Sequence, residues 1–239
     1  MEELERYSRQ LSIIGREGQE KLRNSTALVV GVGGLGSAVT TYLVASGIGK
    51  LLIVDPEVVE LSNLNRQVIH WVRDLGRAKV ESAKEKLKEL NPEVEVVPIK
   101  AKLSEVVDEV VKEADVVIDA LDNWDARHLL NEYCVKYGKV LIHAAVNEAY
   151  GQLMTVVPSK GPCLKCVFPN IRGGPRPTPV LGPAPGVLGA LEAIEAIKAI
   201  TGYGELAVGK LVLIDMKLMS FSVVKVRRNP NCSVCSAIK

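Results

Sequence analysis

Four of the five cysteines stand in two C-x-x-C pairs, Cys163/Cys166 and Cys232/Cys235, each next to turn formers: Gly161-Pro162 before the first, Asn229-Pro230-Asn231 before the second. Two such knuckles can supply four thiolates to one tetrahedral Zn²⁺ if the chain brings them together, tying the C-terminus back to residue 163. Disulfides or free thiols are the plainer alternative, but in an intracellular chain this spacing favours a metal. Neither pair opens a helix after a strand, as a redox pair would. Cys134 lies alone within a helical pattern and reads as a small core residue.

The second constellation is Val29-Val30-Gly31-Val32-Gly33-Gly34-Leu35-Gly36, with Asp55 at the end of the next apolar run, Leu51-Leu52-Ile53-Val54. A β-branched run before the glycines and a helix-compatible run after them put the glycines at a strand-to-helix turn. There Gly31 permits a tight turn, Gly33 and Gly34 let backbone N–H groups approach a phosphate, and Gly36 lets the helix lie close. The helix N-terminus offers free amides to an anion, and Asp55 stands at the distance where an acid reaches a ribose hydroxyl. A nucleotide site is expected.

Polar residues gather downstream. Asn63, Arg66 and Lys79 follow Asp55 on the ligand-binding edge of an open α/β sheet, where the two cations could neutralise a triphosphate. For Lys79 the plainer reading is a solvated helix face, since Lys84, Lys86 and Lys88 share its helix. Asp119 and Asp122 flank the end of a buried strand, and carboxylates there could hold Mg²⁺ beside phosphates. Alternatively, Asp122 or Asn123 caps the helix that begins at Trp124. His70, His128 and His143 share no metal or triad spacing, and His143 reads as a satisfied core residue.

The elements that must position these residues alternate. A helical prefix, residues 1–25 with a break at Gly15, precedes a nucleotide-binding core, residues 26–148. Helices at 76–90, after Ser104 and at 124–137 separate strands at 94–99, 115–119 and 140–146, which is the period of a doubly wound parallel sheet. Residues 149–239 form a further part that holds both knuckles and is expected to bind zinc. Its strands at 149–157, 211–214 and 221–226 read as antiparallel, and the six prolines of 169–185 predict a long mobile loop without regular structure. The helix at 186–200, apolar except for the stripe Glu192, Glu195, Lys198, is expected to pack on the sheet and near a subunit interface. The expected fold class is therefore α/β, a doubly wound Rossmann-like, mostly parallel sheet with late antiparallel strands and a zinc-stapled C-terminal part, in a single domain.

Composition excludes other classes. At 239 residues the chain can bury a substantial core. A net charge of +2 with 4% aromatic residues gives no basic stripe for nucleic acid. No apolar run approaches the roughly 18 residues that span a bilayer, so a cytoplasmic protein without membrane contact is expected.

Taken together, Arg6-Tyr7-Ser8-Arg9-Gln10, the Gly31 to Gly36 turn, Asp55, Leu61-Ser62-Asn63-Leu64-Asn65-Arg66-Gln67, Lys79-Val80-Glu81, Asp119-Ala120-Leu121-Asp122-Asn123 and the two knuckles occur in an order that resembles the ThiF/MoeB/HesA family, relatives of ubiquitin-activating enzymes. The resemblance spans essentially the whole chain. It implies an adenylyltransferase that uses ATP and Mg²⁺ to activate the C-terminal glycine carboxylate of a ubiquitin-like sulfur-carrier protein ending in Gly-Gly, for molybdopterin, thiamine or a related pathway. Position by position, it implies that Gly34 contacts ATP and Asp55 its ribose. Ser62, Asn63, Leu64, Asn65, Arg66 and Lys79 serve the nucleotide and its phosphates, Asp122 holds Mg²⁺ and Asn123 lines the pocket. Arg9 acts in trans from the other subunit of a homodimer. Many members carry a reactive cysteine in the loop after the first knuckle; here Pro179 stands at that place. MoeB-like members, which make only the acyl-adenylate, fit better, with no rhodanese-like segment expected after Lys239. An NAD-dependent oxidoreductase and a non-catalytic zinc-stapled scaffold are the alternative readings.

Overall fold

The computed structural model describes residues 5–173 and 179–236. Five strands lie parallel: β1 (Thr26–Val30), β2 (Lys50–Val54), β3 (Glu95–Ile99), β4 (Val116–Asp119) and β5 (Val140–Asn147). Three more, β6 (Tyr150–Val156), β7 (Lys210–Asp215) and β8 (Ser220–Lys225), extend the same sheet antiparallel. The order is β3-β2-β1-β4-β5-β6-β7-β8. Strand order therefore reverses between β1 and β4, the place where open α/β sheets bind ligands at the carboxyl ends of their strands.

Helices cover both faces, and so β1, β2 and β4 read as continuous Val/Ile/Leu runs rather than alternating ones. On one face α1 (Ser8–Arg23), α2 (Gly34–Ala45), α3 (Lys79–Leu90) and, further along the chain, α7 (Pro183–Thr201) gather a core through Leu22, Val39, Leu43, Val80, Leu87 and Leu188. On the other, α4 (Leu103–Glu113), α5 (Trp124–Lys136) and the short α6 (Leu164–Val167) close over Val107, Val111, Leu130 and Leu164. Cys134 belongs to this second core, fully buried, and burial pushes its thiol up. The break expected at Gly15 is present, with φ +70° inside α1. Among the described residues, no helix is long and apolar enough to cross a membrane.

Three elements differ from the pattern reading. Helix α3 starts at Lys79, because Gly76 takes φ +81° and Ala78 pairs with Val58 in a short bridge. Its first residue, Lys79, is buried instead of solvated, and so is Lys86, two turns along the same side of the helix. Helix α4 starts at Leu103 with Lys102 at its cap, so Ser104 lies within the first turn. Helix α7 starts at Pro183, so Pro183 and Pro185 are helical; a first turn has N–H groups without intrahelical partners and tolerates proline there. The chain before it is held as well, since Glu148 N–H donates to Pro179 O and Leu181 N–H donates to Glu148 O. Residues 174–178, the rest of the expected loop centre, lie outside the described residues.

The charged stripe of α7 faces inward. Glu195 accepts from Thr155 Oγ1, Ala207 N–H and Lys198, which makes it a structural clamp. Glu192 is fully buried and neither of its oxygens has a hydrogen-bond partner. Burial pushes its carboxyl well above the usual range, with Asp119 adding to the effect.

Candidate active site

A cavity of about 1460 Å³ opens at the carboxyl ends of the strands and runs from Asp55, past the β1/β4 reversal, to Leu213 on β7. Its floor is the glycine turn. Gly31 has φ +96°, and a Cβ there would stand 2.5 Å from the carbonyl oxygen of Ala120, where β4 exits. A Cβ on Gly36 would stand 2.1 Å from the Gly31 carbonyl oxygen. Both positions exclude any larger residue, so the turn can bring backbone amides against a ligand only as glycine. Gly34 opens α2 and touches Pro185 of α7.

Asp55 is buried, and its two oxygens accept the Val32 and Glu57 N–H groups at 2.8 Å. The carboxylate is thus held rigidly at the end of β2 while still lining the cavity. Beyond it a short 3₁₀ turn, Leu61–Asn63, sets the next group. Asn63 Oδ1 accepts the Glu60 N–H, and the Asn63 carbonyl accepts from Arg66 and Gln67. Arg66 Nη1 then donates to Ser62 O at 2.8 Å and Asn65 Oδ1 at 3.0 Å. Lys79, only 3% exposed, bonds the exposed carboxylate of Glu57.

Opposite, the loop after β4 carries Asp122, exposed, and Asn123, whose Oδ1 accepts the Ala126 N–H and caps α5. Asp119 cannot serve as an open metal ligand, contrary to the sequence reading. It is sealed in the sheet, accepting from His143 Nδ1 at 2.7 Å and the Leu121 N–H at 3.2 Å, with Arg127 Nε at 3.7 Å. His143 is accordingly a satisfied core residue.

The structure therefore brings Gly34, Asp55, Ser62, Asn63, Arg66, Lys79, Asp122 and Asn123 onto one cavity. Leu64 and Asn65 are outside the lining, Asn65 meeting it only through Arg66. Arg9 is exposed on α1 and is not part of this chain's cavity.

Pattern reading missed a second layer. His70 Nε2 lies 2.9 Å from the Val32 carbonyl in the glycine turn, and Nδ1 lies 2.9 Å from Ser82 Oγ, which also receives Lys86 Nζ. The Val32 carbonyl only accepts, so Nε2 carries the hydrogen of that bond. Burial lowers the His70 pKa and keeps the ring neutral. Gln67, 5% exposed, lies against Gly33 with its Oε1 unpartnered. Arg127 donates to the Leu121 carbonyl and so holds the loop that carries Asp122. Of these, Gln67 and Arg127 had a signal: one follows Arg66 directly, the other lies one turn after the Asn123 cap.

The four knuckle cysteines converge elsewhere, beside α6. Cys163 Sγ lies 3.9 Å from Cys166 Sγ and 3.7 Å from Cys232 Sγ, Cys166 Sγ lies 3.4 Å from Cys235 Sγ, and all four atoms fall within 4.8 Å of one another. They can hold a metal ion. Burial pushes the Cys163 thiol up; at Cys232 burial acts the same way, but the N–H groups of Cys235 and Val234 outweigh it and bring that thiol to about 7.

Comparison with known proteins agrees with this arrangement. The chain is 44% identical to the SAMP-activating enzyme E1 of Haloferax volcanii over 98% of its own length and 89% of that protein. It is 41% identical to the sulfur carrier protein adenylyltransferase of Thermus thermophilus, over 98% and 91% respectively. Its fold superposes on E. coli MccB solved with ATP at a TM-score of 0.83 and 28% identity, covering 96% of this chain and 74% of MccB. The ThiF family model matches residues 7–234, from the helical prefix into the second knuckle. With the glycine turn, the cavity residues and three of the four clustered cysteines inside that span, the chain belongs to the ThiF family.

Proposed function

We propose that this chain is an ATP-dependent adenylyltransferase that activates the C-terminal glycine carboxylate of a ubiquitin-like sulfur-carrier protein ending in Gly-Gly. The observation that carries the reading is the convergence of Asp55, Arg66, Lys79 and Asp122 on one cavity floored by the glycine turn. A buried lysine and an arginine at the phosphate end suit a triphosphate better than a nicotinamide dinucleotide. The names of the 44% and 41% identical relatives support the carrier and the adenylyl transfer.

In this reaction a carboxylate oxygen of the carrier attacks the α-phosphorus, an acyl-phosphate bond forms, and the bond to the pyrophosphate leaving group breaks. Negative charge spreads over phosphoryl oxygens, so the protein must supply position and positive charge rather than a nucleophile of its own. Asp55 takes the ribose hydroxyls and the amides from Gly34 onward take phosphate oxygens. Asn63, Arg66 and Lys79 hold the phosphates, supported by Ser62, Leu64 and Asn65, and Asn123 lines the pocket. Asp122 would hold Mg²⁺, which would supply further positive charge beside the phosphates. Arg9 completes the site from the second subunit of a homodimer. Residues 1–239 then act as one adenylation domain, with nucleotide on 26–148 and carrier on 149–239.

The metal is Zn²⁺. A tetrahedron with Zn–S of about 2.3 Å sets sulfurs about 3.8 Å apart, against 3.4–3.9 Å for the three measured pairs. With all four positions taken by thiolates the site is structural.

ATP–pyrophosphate exchange with such a carrier tests the reading. Exchange is expected in the wild type and at least about 100-fold slower in Asp122→Ala, the scale of losing one preorganised charge-stabilising group. Mixing that variant with Arg9→Ala should restore part of the activity, since mixed dimers hold one intact site. Robust exchange in Asp122→Ala removes Asp122 from the mechanism, and no recovery on mixing removes Arg9 from the neighbouring site.

A further inference from the structure

We infer that Gln152 binds the main chain of the incoming protein tail, and that His143 and Asp119 are positioning residues that fix which way its amide faces. This rests on the adenylyltransferase reading above. The three residues run diagonally across adjacent strands. Asp119 and His143 are register partners in β4 and β5, and Gln152 in β6 lies opposite Ala145, two residues beyond His143 on the same face. On its other side Gln152 is paired with Leu213 of β7.

Hydrogen-bonding capacity assigns the protons. The Asp119 carboxylate only accepts, so His143 Nδ1, 2.7 Å away, carries a hydrogen. The ring is fully buried between Asp119 and the Trp124 and Phe168 rings, and Arg127 and His128 are the cationic or titratable groups that also face it. Burial lowers its pKa against the opposite pull of Asp119, which favours the neutral ring. Gln152 turns its amide nitrogen to His143 Nε2 at 3.0 Å, and an amide nitrogen only donates, so the ring nitrogen accepts. An amide free to flip is thereby locked, with nitrogen toward His143 and with its carbonyl oxygen and second N–H left over.

Those two groups have a use. Ala145, Gln152 and Leu213 form one row of the cavity wall, on the β5–β7 side, away from the glycine turn and Asp55. A single amide offering one acceptor and one donor between two apolar neighbours is the complement of a peptide bond in an extended chain. A phosphate, which only accepts, would leave the Gln152 carbonyl unpaired. The ligand class is thus a C-terminal peptide segment, and the locked amide sets its register so that the terminal carboxylate comes to the nucleotide.

Exchange kinetics with a ubiquitin-like carrier ending in Gly-Gly test this. Gln152→Met keeps the volume and removes both hydrogen-bonding groups. It should raise the carrier KM by about tenfold, the scale of one or two lost hydrogen bonds, with the ATP KM unchanged. His143→Phe should do the same by unlocking the amide, and His143→Gln, which restores an acceptor, should recover most of the loss; a merely structural role would not give this rescue or this split between substrates. An unchanged carrier KM in Gln152→Met, while exchange proceeds, overturns this assignment alone. Absence of carrier-dependent exchange in the wild type overturns it together with the function it rests on.

Discussion

Two lysines of α3 are buried, and they differ in how their charge is met. Lys79 bonds Glu57, whose carboxylate is 63% exposed, so one side of the pair stays open to the cavity. Lys86 is closed off: it donates to Asp74, Ser82 Oγ and Ser82 O beneath the crossover between β2 and α3. Burial alone would raise the Asp74 carboxyl, but the Lys86 ammonium and the Trp71 N–H bring it down to about 2 from an ordinary 3.8. Because the folded-state value is the lower one, this stabilisation is complete above about pH 4 and is lost as the pH falls toward 2. Asp74→Asn should cost about 3 kcal/mol at neutral pH, as breaking a buried pair does, and should flatten the acid limb of stability measured by denaturant unfolding. A variant as stable as the wild type at pH 7 would show the pair to be idle. None of this was legible as pattern. Lys79, Lys84, Lys86 and Lys88 look like one solvated face by residue type, but Lys79 and Lys86 stand seven residues apart on the buried side, among Val80, Ala83 and Leu87.

At the scale of elements the sequence carried more. Alternating apolar runs and amphipathic helices gave the parallel order from β1 to β5, and the change of rhythm after residue 148 gave the antiparallel strands. Proline content misled at α7, because a proline in a first helical turn looks the same in sequence as one in a loop. The direction of the polar stripe of α7 was not legible: Glu192 and Glu195 are buried, Glu195 clamping Thr155 and the Ala207 amide. The knuckles were legible from spacing alone, since C-x-x-C in a turn can aim two thiolates at one point. They join α6 to the segment after β8, which otherwise has all six residues of its last strand exposed. Metal analysis should find about one Zn²⁺ per chain, and chelation should lower the unfolding temperature measured by calorimetry. Metal-free protein with an unchanged melting temperature would contradict the structural role.

Across the whole molecule, one cavity joins two kinds of wall. Toward β2 it is lined by the glycine turn, Asp55, Arg66 and Lys79; toward β7 by Ala145, Gln152, Tyr150 and Leu213, with Asp122 and Asn123 between them. The first wall was legible because phosphate recognition depends on glycine and on a few charges at fixed spacing. The second was not, because its chemistry depends on which strands become neighbours, and Asp119, His143 and Gln152 acquire their relation only in the sheet. On the proposed reading, the wall with Arg66 and Lys79 takes the phosphates, the wall with Gln152 takes the peptide tail, and Asp122 stands between them, an arrangement suited to joining a carboxylate to an α-phosphate. The most direct measurement is the mass of a Gly-Gly-terminated ubiquitin-like carrier after incubation with this protein, ATP and Mg²⁺. The predicted result is a carrier that gains one adenylyl group at its terminal carboxylate, with pyrophosphate released in equal amount and no gain when that carboxylate is amidated. An unmodified carrier, or an adenylyl group that survives amidation of the tail, would contradict it.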